Sequence, residues 1–381
     1  MRVVVDGSAL AQGPSGTRTY VEALVGAIAR VAPEIDLRVI RPGWATIGGE
    51  AGPTRAERLV WELHGVRQAA VAAGADVLHV PSFAAPVRGG PPLVVTIHDV
   101  IPLVLPAYRA TRAAQIRLAM AGRTVRRARR VLVPSEAARR DVEAVLGIPA
   151  DRLRVTPEAA GPTFRPPRDG AERAAAAAVA RRLGVAGPYI FHCGGFDARK
   201  NLPVLVEAFA LARRQLDGPL SLVLAGAPHS ANAAVYPDLG PVILAHGVED
   251  GVILPGRVSE VDKVALYQAA SAYATPSLHE GFGLPILEAM ACGVPTIGSD
   301  RTSLPEVIGD GGLVVPPEAE AFAAAIVSVL SDPGLAARLG AAGIARAATF
   351  SWEETARRTV AAYREAAGMT CDASPLRPAV S

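Results

Sequence analysis

His279-Glu280-Gly281-Phe282-Gly283-Leu284-Pro285-Ile286-Leu287-Glu288-Ala289-Met290-Ala291-Cys292-Gly293-Val294-Pro295 is the stretch on which the reading of this chain turns. An apolar run around Tyr273-Ala274 leads into it and Thr296-Ile297 leads out. Between these two strands lie a glycine-rich turn and a helix that opens near Pro285, a residue type favoured at the first helical position. Strand, turn, helix and strand in succession form the unit of a parallel sheet covered by helices. The free N–H groups and the positive dipole end of such a helix make a cradle suited to a phosphate. Gly281 and Gly283 let the backbone come close to a ligand. Glu280 falls in the turn and Glu288 about one turn into the helix, so both can face one pocket and accept from paired sugar or ribose hydroxyls. Two glutamates alone would read as the surface of a helix start; the whole string carries the functional reading.

The same alternation continues outward. Val3-Val4-Val5, Leu37 to Ile40, Val77 to Val80, Leu93 to Ile97, Arg130 to Val133 and Leu153 to Val155 are strand candidates in the first half. Tyr20, Leu24 and Ile28 recur with the spacing of an amphipathic helix. Turn signals crowd residues 161–187, and then the pattern restarts. Tyr189 to His192, Ser221 to Leu224, Val252 to Leu254, Ala272 to Ala274, Thr296-Ile297 and Leu313 to Val315 are its strands. The expected organisation is therefore an N-terminal α/β domain over 1–167 and a C-terminal one over 168–350. Ser351-Trp352-Glu353-Glu354 has the pattern of a capping box and opens a helix over 351–367. Residues 368–381 lack periodicity and read as a disordered tail.

Composition narrows the classes. The chain has 381 residues, half of them hydrophobic, which is enough for two buried cores and excludes extensive disorder. Aromatics are only 5%, against an aromatic-rich β-sandwich. No apolar run reaches about 18 uncharged residues, so no membrane-spanning helix is expected. The N-terminus shows no signal segment, and a cytoplasmic location is expected. A net charge of +3 is too weak to argue for a nucleic-acid partner. Cys193, Cys292 and Cys371 have no paired spacing and read as reduced thiols. The chain uses 37 Arg and only two Lys, Lys200 and Lys263.

Three further motifs carry chemistry. In Phe191-His192-Cys193-Gly194-Gly195-Phe196-Asp197-Ala198-Arg199-Lys200-Asn201 a strand ends at a glycine turn and a helix follows. The adjacent cations Arg199 and Lys200 stand at that mouth, where they can neutralise a departing diphosphate. Val94-Val95-Thr96-Ile97-His98-Asp99 places His98 at the C-terminal end of a strand, where ligands of open α/β sheets bind. The Gly13 to Thr17 loop does not match a dinucleotide fingerprint. Residues 107–135 hold eight arginines and no acid, interleaved with Ile116, Leu118, Met120 and Val125. That segment reads either as a solvated helix face or as a basic amphipathic helix lying on anionic lipid. No D-x-D occurs and no His/Cys cluster has metal spacing, so no metal and no cofactor are expected.

The string from Glu280 to Glu288 resembles the E-x7-E signature of the retaining glycosyltransferases of family 4, which have the GT-B fold. The similarity extends from Val3 to about Ala367, and Leu304-Pro305-Glu306 and Gly311 to Pro316 match the family's continuation. The resemblance implies two doubly wound Rossmann-like domains facing each other across a deep cleft. It implies that the C-terminal domain binds a nucleotide-diphospho-sugar and the N-terminal domain a carbohydrate or lipid-linked acceptor. Glu288 would then hold the ribose and Glu280 would lie by the donor sugar. The backbone of Phe282, Gly283 and Leu284 would meet the sugar and diphosphate. Arg257 and Val258 would hold the base, and the Gly16 amide would approach the donor phosphate. His98 would lie near donor sugar and acceptor, with Asp99 orienting it or touching the acceptor. Many members have Gly-Arg at Gly194-Gly195, so that arginine's role is assigned to Arg199. The C-terminal helix would cross back onto the N-terminal domain. The Gly-Gly-Phe-x-x-Arg-Lys-Asn form is similar to bacterial mannosyltransferases of polysaccharide assembly, with GDP-mannose the first donor expected. A sugar-nucleotide epimerase of the same fold and a non-catalytic sugar-nucleotide-binding protein remain the rivals.

Overall fold

The computed structural model describes residues 1–11, 15–43, 54–86, 89–109, 112–228 and 232–369. The expected tail from residue 370, Cys371, and Gly13 and Pro14 of the first loop lie outside the described residues.

Twelve strands form two six-stranded sheets. In the first, β1 (Arg2–Asp6), β2 (Asp36–Ile40), β3 (Val77–Val80), β4 (Leu93–Thr96), β5 (Arg130–Val133) and β6 (Leu153–Val155) lie in the order β2-β1-β3-β4-β5-β6. In the second, β7 (Tyr189–Cys193), β8 (Ser221–Ala225), β9 (Val252–Gly256), β10 (Ala272–Thr275), β11 (Thr296–Ser299) and β12 (Leu313–Val315) lie in the order β12-β11-β10-β7-β8-β9. All recorded pairings are parallel. Parallel sheets are covered on both faces, and the continuous burial of β3 and β10 follows from that. Each sheet reverses direction of winding once, between β1 and β3 and between β7 and β10. Those switch points, at the carboxyl ends of the strands, are where a crevice opens for a ligand.

The chain crosses from one core to the other between Ala159, which packs with β1, and Phe164, which packs under β7. It returns through the helix Trp352–Ala366. Trp352, Ala356, Val360 and Tyr363 repeat along one face of that helix and bury against Tyr20, Leu24 and Ile28. Ser351 caps it by accepting from the Glu354 N–H at 3.1 Å. Glu365 near its end binds Arg130 at 2.5 Å and Arg154 at 2.8 Å. Several helices had no counterpart in the sequence reading, among them Glu136–Leu146, Glu260–Ala269, Ala319–Ser331 and Pro333–Ala347, and the least regular is the one after β2. Residues Arg55–Ala72 form a helix interrupted by a π-turn at Trp61–Gly65. Its apolar positions are diluted by arginine and glutamate, so the periodicity is weak. Trp61 nevertheless anchors it to the end of β1, donating from Nε1 to Asp6 at 3.0 Å.

Candidate active site

The two domains meet through few, specific contacts. Ser135 Oγ donates to the Gly281 carbonyl at 2.6 Å. The Glu306 carboxylate accepts from the backbone N–H groups of Glu136 and Ala137, at 3.0 and 3.3 Å. Those two groups open the helix Glu136–Leu146, where an anion is favoured by the dipole. His279 Nε2 stands 3.1 Å from Asp141, and the Tyr108 hydroxyl donates to Asp197 at 2.6 Å. The facing strand ends enclose a cleft of about 510 Å³.

The second domain builds its side from the E-x7-E string. Gly283 has φ of 104°, a left-handed conformation that only glycine adopts without strain, and it turns the chain into the helix Leu284–Ala291. No side chain caps that helix, so its start is open toward the cleft. Gly281 is needed for a different reason: a Cβ there would lie 1.8 Å from the His98 carbonyl oxygen. Phe282 sends its ring into the core against Phe350, leaving its backbone on the cleft wall.

Glu280, Arg199, Lys200 and Asp197 form one buried cluster. Lys200 Nζ and Arg199 Nη1 each reach the Glu280 carboxylate at 2.5 Å, and Arg199 Nε reaches Asp197 at 2.9 Å. Burial alone would raise the Glu280 carboxyl, but Arg199 and then Lys200 outweigh it and hold it down at about 2. The Glu280 N–H donates to Thr302 Oγ1 at 2.9 Å, and Thr302 takes a φ of 49°, unfavourable for a β-branched residue, while doing so. Two cations and two carboxylates balance, yet an ammonium has three donors and a guanidinium five. N–H groups therefore remain that an anion could engage.

Glu288 is also held. Lys263 Nζ lies 3.2 Å from one oxygen and the Tyr267 hydroxyl 3.1 Å from the other. Burial raises the Glu288 carboxyl, with Lys263 and Tyr267 offsetting part of the effect. Lys263 also reaches Glu260 at 3.0 Å and sits 4.9 Å over the Phe164 ring. Arg257 and Val258 line the same end of the cleft. Cys193 lines it too, and burial pushes its thiol up to about 12, so it stays protonated and inert.

The first domain contributes His98 at the end of β4. Its Nδ1 lies 2.9 Å from Glu158, and its Nε2 is buried with no hydrogen-bond partner. Burial would depress this histidine, but Glu158 and then Asp99 raise it overall. The orienting role offered to Asp99 belongs to Glu158; Asp99 instead accepts from the Ile101 N–H at 3.0 Å and lines the cleft. Behind His98, at a ring-centroid distance of 4.7 Å, Tyr20 joins a buried chain through Thr96 and His79 to Tyr363. Gly16 is the first residue of the helix Gly16–Val31 and faces the cleft. A Cβ on it would meet nothing within 4 Å, so its place does not demand glycine.

The basic segment 107–135 is not one helix. It contains a short turn, the helix Arg112–Val125 and β5, because Leu118, Val125 and Val131 are drawn into the core. Ile116 and Met120 stay exposed beside Arg117 and Arg123.

The sequence reading missed Glu158, Tyr267, Thr302 and the Tyr108–Asp197 contact. It noticed Lys263 only through the scarcity of lysine. Among the described residues, no three His, Cys, Asp or Glu side chains gather as a metal site.

Two facing doubly wound domains, with an open helix start and paired cations between them, are the arrangement of a GT-B glycosyltransferase. Comparison with known proteins agrees. Residues 14–160 match the model described as Glycosyltransferase Family 4, and residues 181–346 that of Glycosyl transferases group 1. The O-antigen chain mannosyltransferase B of Escherichia coli is 33% identical over 76% of this chain and 74% of its own. The MMP alpha-(1->4)-mannosyltransferase of Mycolicibacterium hassiacum is 30% identical over 73% of this chain and 66% of its own. In fold the chain is similar to the sucrose-phosphate synthase of Thermosynechococcus elongatus, with a TM-score of 0.75 at 22% identity over 96% of this chain and 98% of that one. The chain belongs to the family 4 glycosyltransferases and is a hexosyltransferase.

Proposed function

We propose that this glycosyltransferase moves mannose from GDP-mannose to a hydroxyl of a glycan acceptor, with retention at the anomeric carbon, in the assembly of a cell-surface polysaccharide. The observation that carries the reading is the Lys200–Glu280–Arg199 cluster beside the open start of the Leu284–Ala291 helix. It offers fixed N–H donors where negative charge grows as the diphosphate leaves. The bond from the anomeric carbon to the phosphate oxygen breaks, and a bond to the acceptor oxygen forms on the same face. The acceptor proton passes to the departing phosphate. Glu288 takes the ribose and Glu280 the donor sugar, with no metal required. Both relatives named above are mannosyltransferases, which supports the choice of sugar.

A thermal-shift panel of GDP, UDP and dTDP tests the donor, since a nucleotide that binds only the native state raises stability by mass action. GDP should give the largest shift; a larger one with UDP or dTDP would replace the base. Release of GDP from GDP-mannose should survive excess EDTA. Loss of turnover that Mg²⁺ or Mn²⁺ restores would refute metal independence. Product anomericity by NMR tests retention.

No single helix among the described residues is long and apolar enough to cross a membrane. We place the protein in the cytoplasm, touching the inner face of the membrane through Ile116, Met120 and the neighbouring arginines. Co-sedimentation with anionic vesicles, weakened by Arg117→Glu, is the expected result; equal binding to neutral vesicles would refute the electrostatic part.

A further inference from the structure

We infer that the acceptor is an uncharged, hydroxyl-bearing end of a glycan and not a phosphorylated sugar or polyol. The inference rests on the glycosyl-transfer reading of the same cleft. Its observation is a segregation of charge. Among the described residues lining the cleft, the arginines and lysines are Arg199, Lys200, Arg257 and Lys263, and they stand on the second domain. The first domain presents Asp99, Glu158 and His98, with the hydroxyls of Thr17 and Thr19. Arg18, between the two threonines, is engaged with Glu22 at 2.8 Å.

Glu158 is fixed against His98 Nδ1 at 2.9 Å, so its charge stays at this wall. His98 lines the cleft with its side chain 22% exposed, and its Nε2 is buried without a hydrogen-bond partner. A hydroxyl of a sugar ring placed against this imidazole suits either protonation state, because it both donates and accepts. Neighbouring hydroxyls of the same ring donate to Asp99, a charge-assisted bond. A phosphate offers no donor to Asp99 and sets like charge against Asp99 and Glu158, and among the described residues lining that wall only His98, already paired with Glu158, can carry a positive charge. Three of the second domain's four cleft cations are already committed, Lys200 and Arg199 to Glu280 and Lys263 to Glu288 and Glu260, and Arg257 lines the nucleotide end. The diphosphate of the donor takes what donors remain. A like-charge contact of this kind lowers affinity strongly and so acts as a specificity filter.

The test uses the wild-type chain, the nucleotide sugar whose diphosphate gives the largest thermal shift, and matched acceptor pairs. These are methyl mannoside with mannose 6-phosphate, glucose and galactose with their 6-phosphates, and myo-inositol with its monophosphate. Product formation is followed by mass spectrometry. At least one neutral member should accept sugar, with kcat/KM for its phosphorylated partner lower by about tenfold or more. Asp99→Asn combined with Glu158→Gln should narrow that ratio. A phosphorylated member that outperforms its neutral partner overturns the inference while leaving glycosyl transfer intact. So does a panel in which no neutral member accepts although the nucleotide binds. If no nucleotide diphosphate binds at all, the donor reading falls and the inference falls with it.

Discussion

Gly281 sets how closely the two domains approach, which makes Gly281→Ala the sharpest perturbation of this site. The added Cβ would stand 1.8 Å from the His98 carbonyl oxygen, 2.8 Å from its carbon and 3.1 Å from Asp99 Cβ. Non-bonded heavy atoms settle at about 3.5–4.0 Å, so the loop must retreat by roughly 1.5–2 Å. The atoms in the way at His98 are backbone, so no rotamer change relieves the clash. The hydrogen bond from Ser135 to the Gly281 carbonyl, 2.6 Å long, stretches with the retreat and gives up about 1 kcal/mol. Kinetically the effect is larger. His98 and Asp99 shift against Glu280 and Lys200, and a misplacement of about 1 Å costs on the order of a hundredfold in rate. Gly281→Ala should therefore lower kcat by about a hundredfold or more. Nucleotide affinity should stay near wild type, because Glu288, Lys263 and Tyr267 lie within the second domain. Gly170→Ala, where a Cβ meets nothing within 4 Å, is the matched control. Steady-state kinetics and calorimetry with the nucleotide diphosphate separate the two effects. A folded Gly281→Ala protein with wild-type kcat/KM would refute the closed geometry on which the active-site reading depends.

Lys200→Ala should cut kcat by about two orders of magnitude or more, as expected for one preorganised charge donor; wild-type turnover would remove that role. Glu288→Ala should weaken binding of the nucleotide diphosphate by roughly ten- to a hundredfold, the equivalent of a charge-assisted bond of about 1.5–3 kcal/mol. Glu280→Gln should instead spare that binding and lower kcat; the reverse pattern in calorimetry and kinetics would exchange the two assignments. Glu280 is held at about 2 in the fold, so its ionised form contributes stability that is full above the ordinary carboxylate pKa of about 4.3 and fades as pH falls toward 2. Glu280→Gln should lack that part of the acid-induced drop in Tm. His98 is raised in the fold, so its pair with Glu158 stabilises most below the ordinary histidine pKa of about 6.5 and is lost as pH rises through the raised value. Glu158→Gln should move the His98 titration down, seen by NMR, and should lower Tm more at pH 6 than at pH 9; an equal loss at both would dismiss the pair.

Much of this architecture was legible because it is written locally. Buried parallel strands appear as short β-branched runs, and both halves present such runs between turn residues. The Leu284–Ala291 helix was legible for the same reason, since glycine, proline and an apolar repeat lie next to one another. The pairings that make the site work are not local. Glu158 follows β6 in a Thr-Pro-Glu loop with nothing to link it to His98, 60 positions earlier. Only the winding of the sheet, which sets β4 beside β5 and β5 beside β6, brings the two together. The Tyr108–Asp197 contact spans both domains, and no periodicity within either one encodes it. Charge neutrality was likewise hidden. Arg199 and Lys200 read as free cations along the chain, whereas in space Glu280 and Asp197 already engage them.

The two lysines give the last step. In a chain with 37 arginines, the only two lysines each bind one of the two glutamates of the E-x7-E string. Lys200 meets Glu280 and Lys263 meets Glu288, with the lysine side chains 6% and 16% exposed. An arginine in either place would meet the carboxylate with a two-pronged fork, fix its plane and occupy both oxygens. An ammonium makes one contact and leaves an oxygen for something else: in Glu280 it goes to Arg199, in Glu288 to the Tyr267 hydroxyl. It also keeps further N–H donors that can turn toward an incoming ligand, two on Lys200 and one on Lys263, which also meets Glu260. A carboxylate meant to exchange partners with ribose or sugar hydroxyls is better held by a point charge than by a clamp. A composition otherwise given over to arginine therefore keeps lysine at the two positions where the bond must be strong enough to bury a charge and loose enough to be shared.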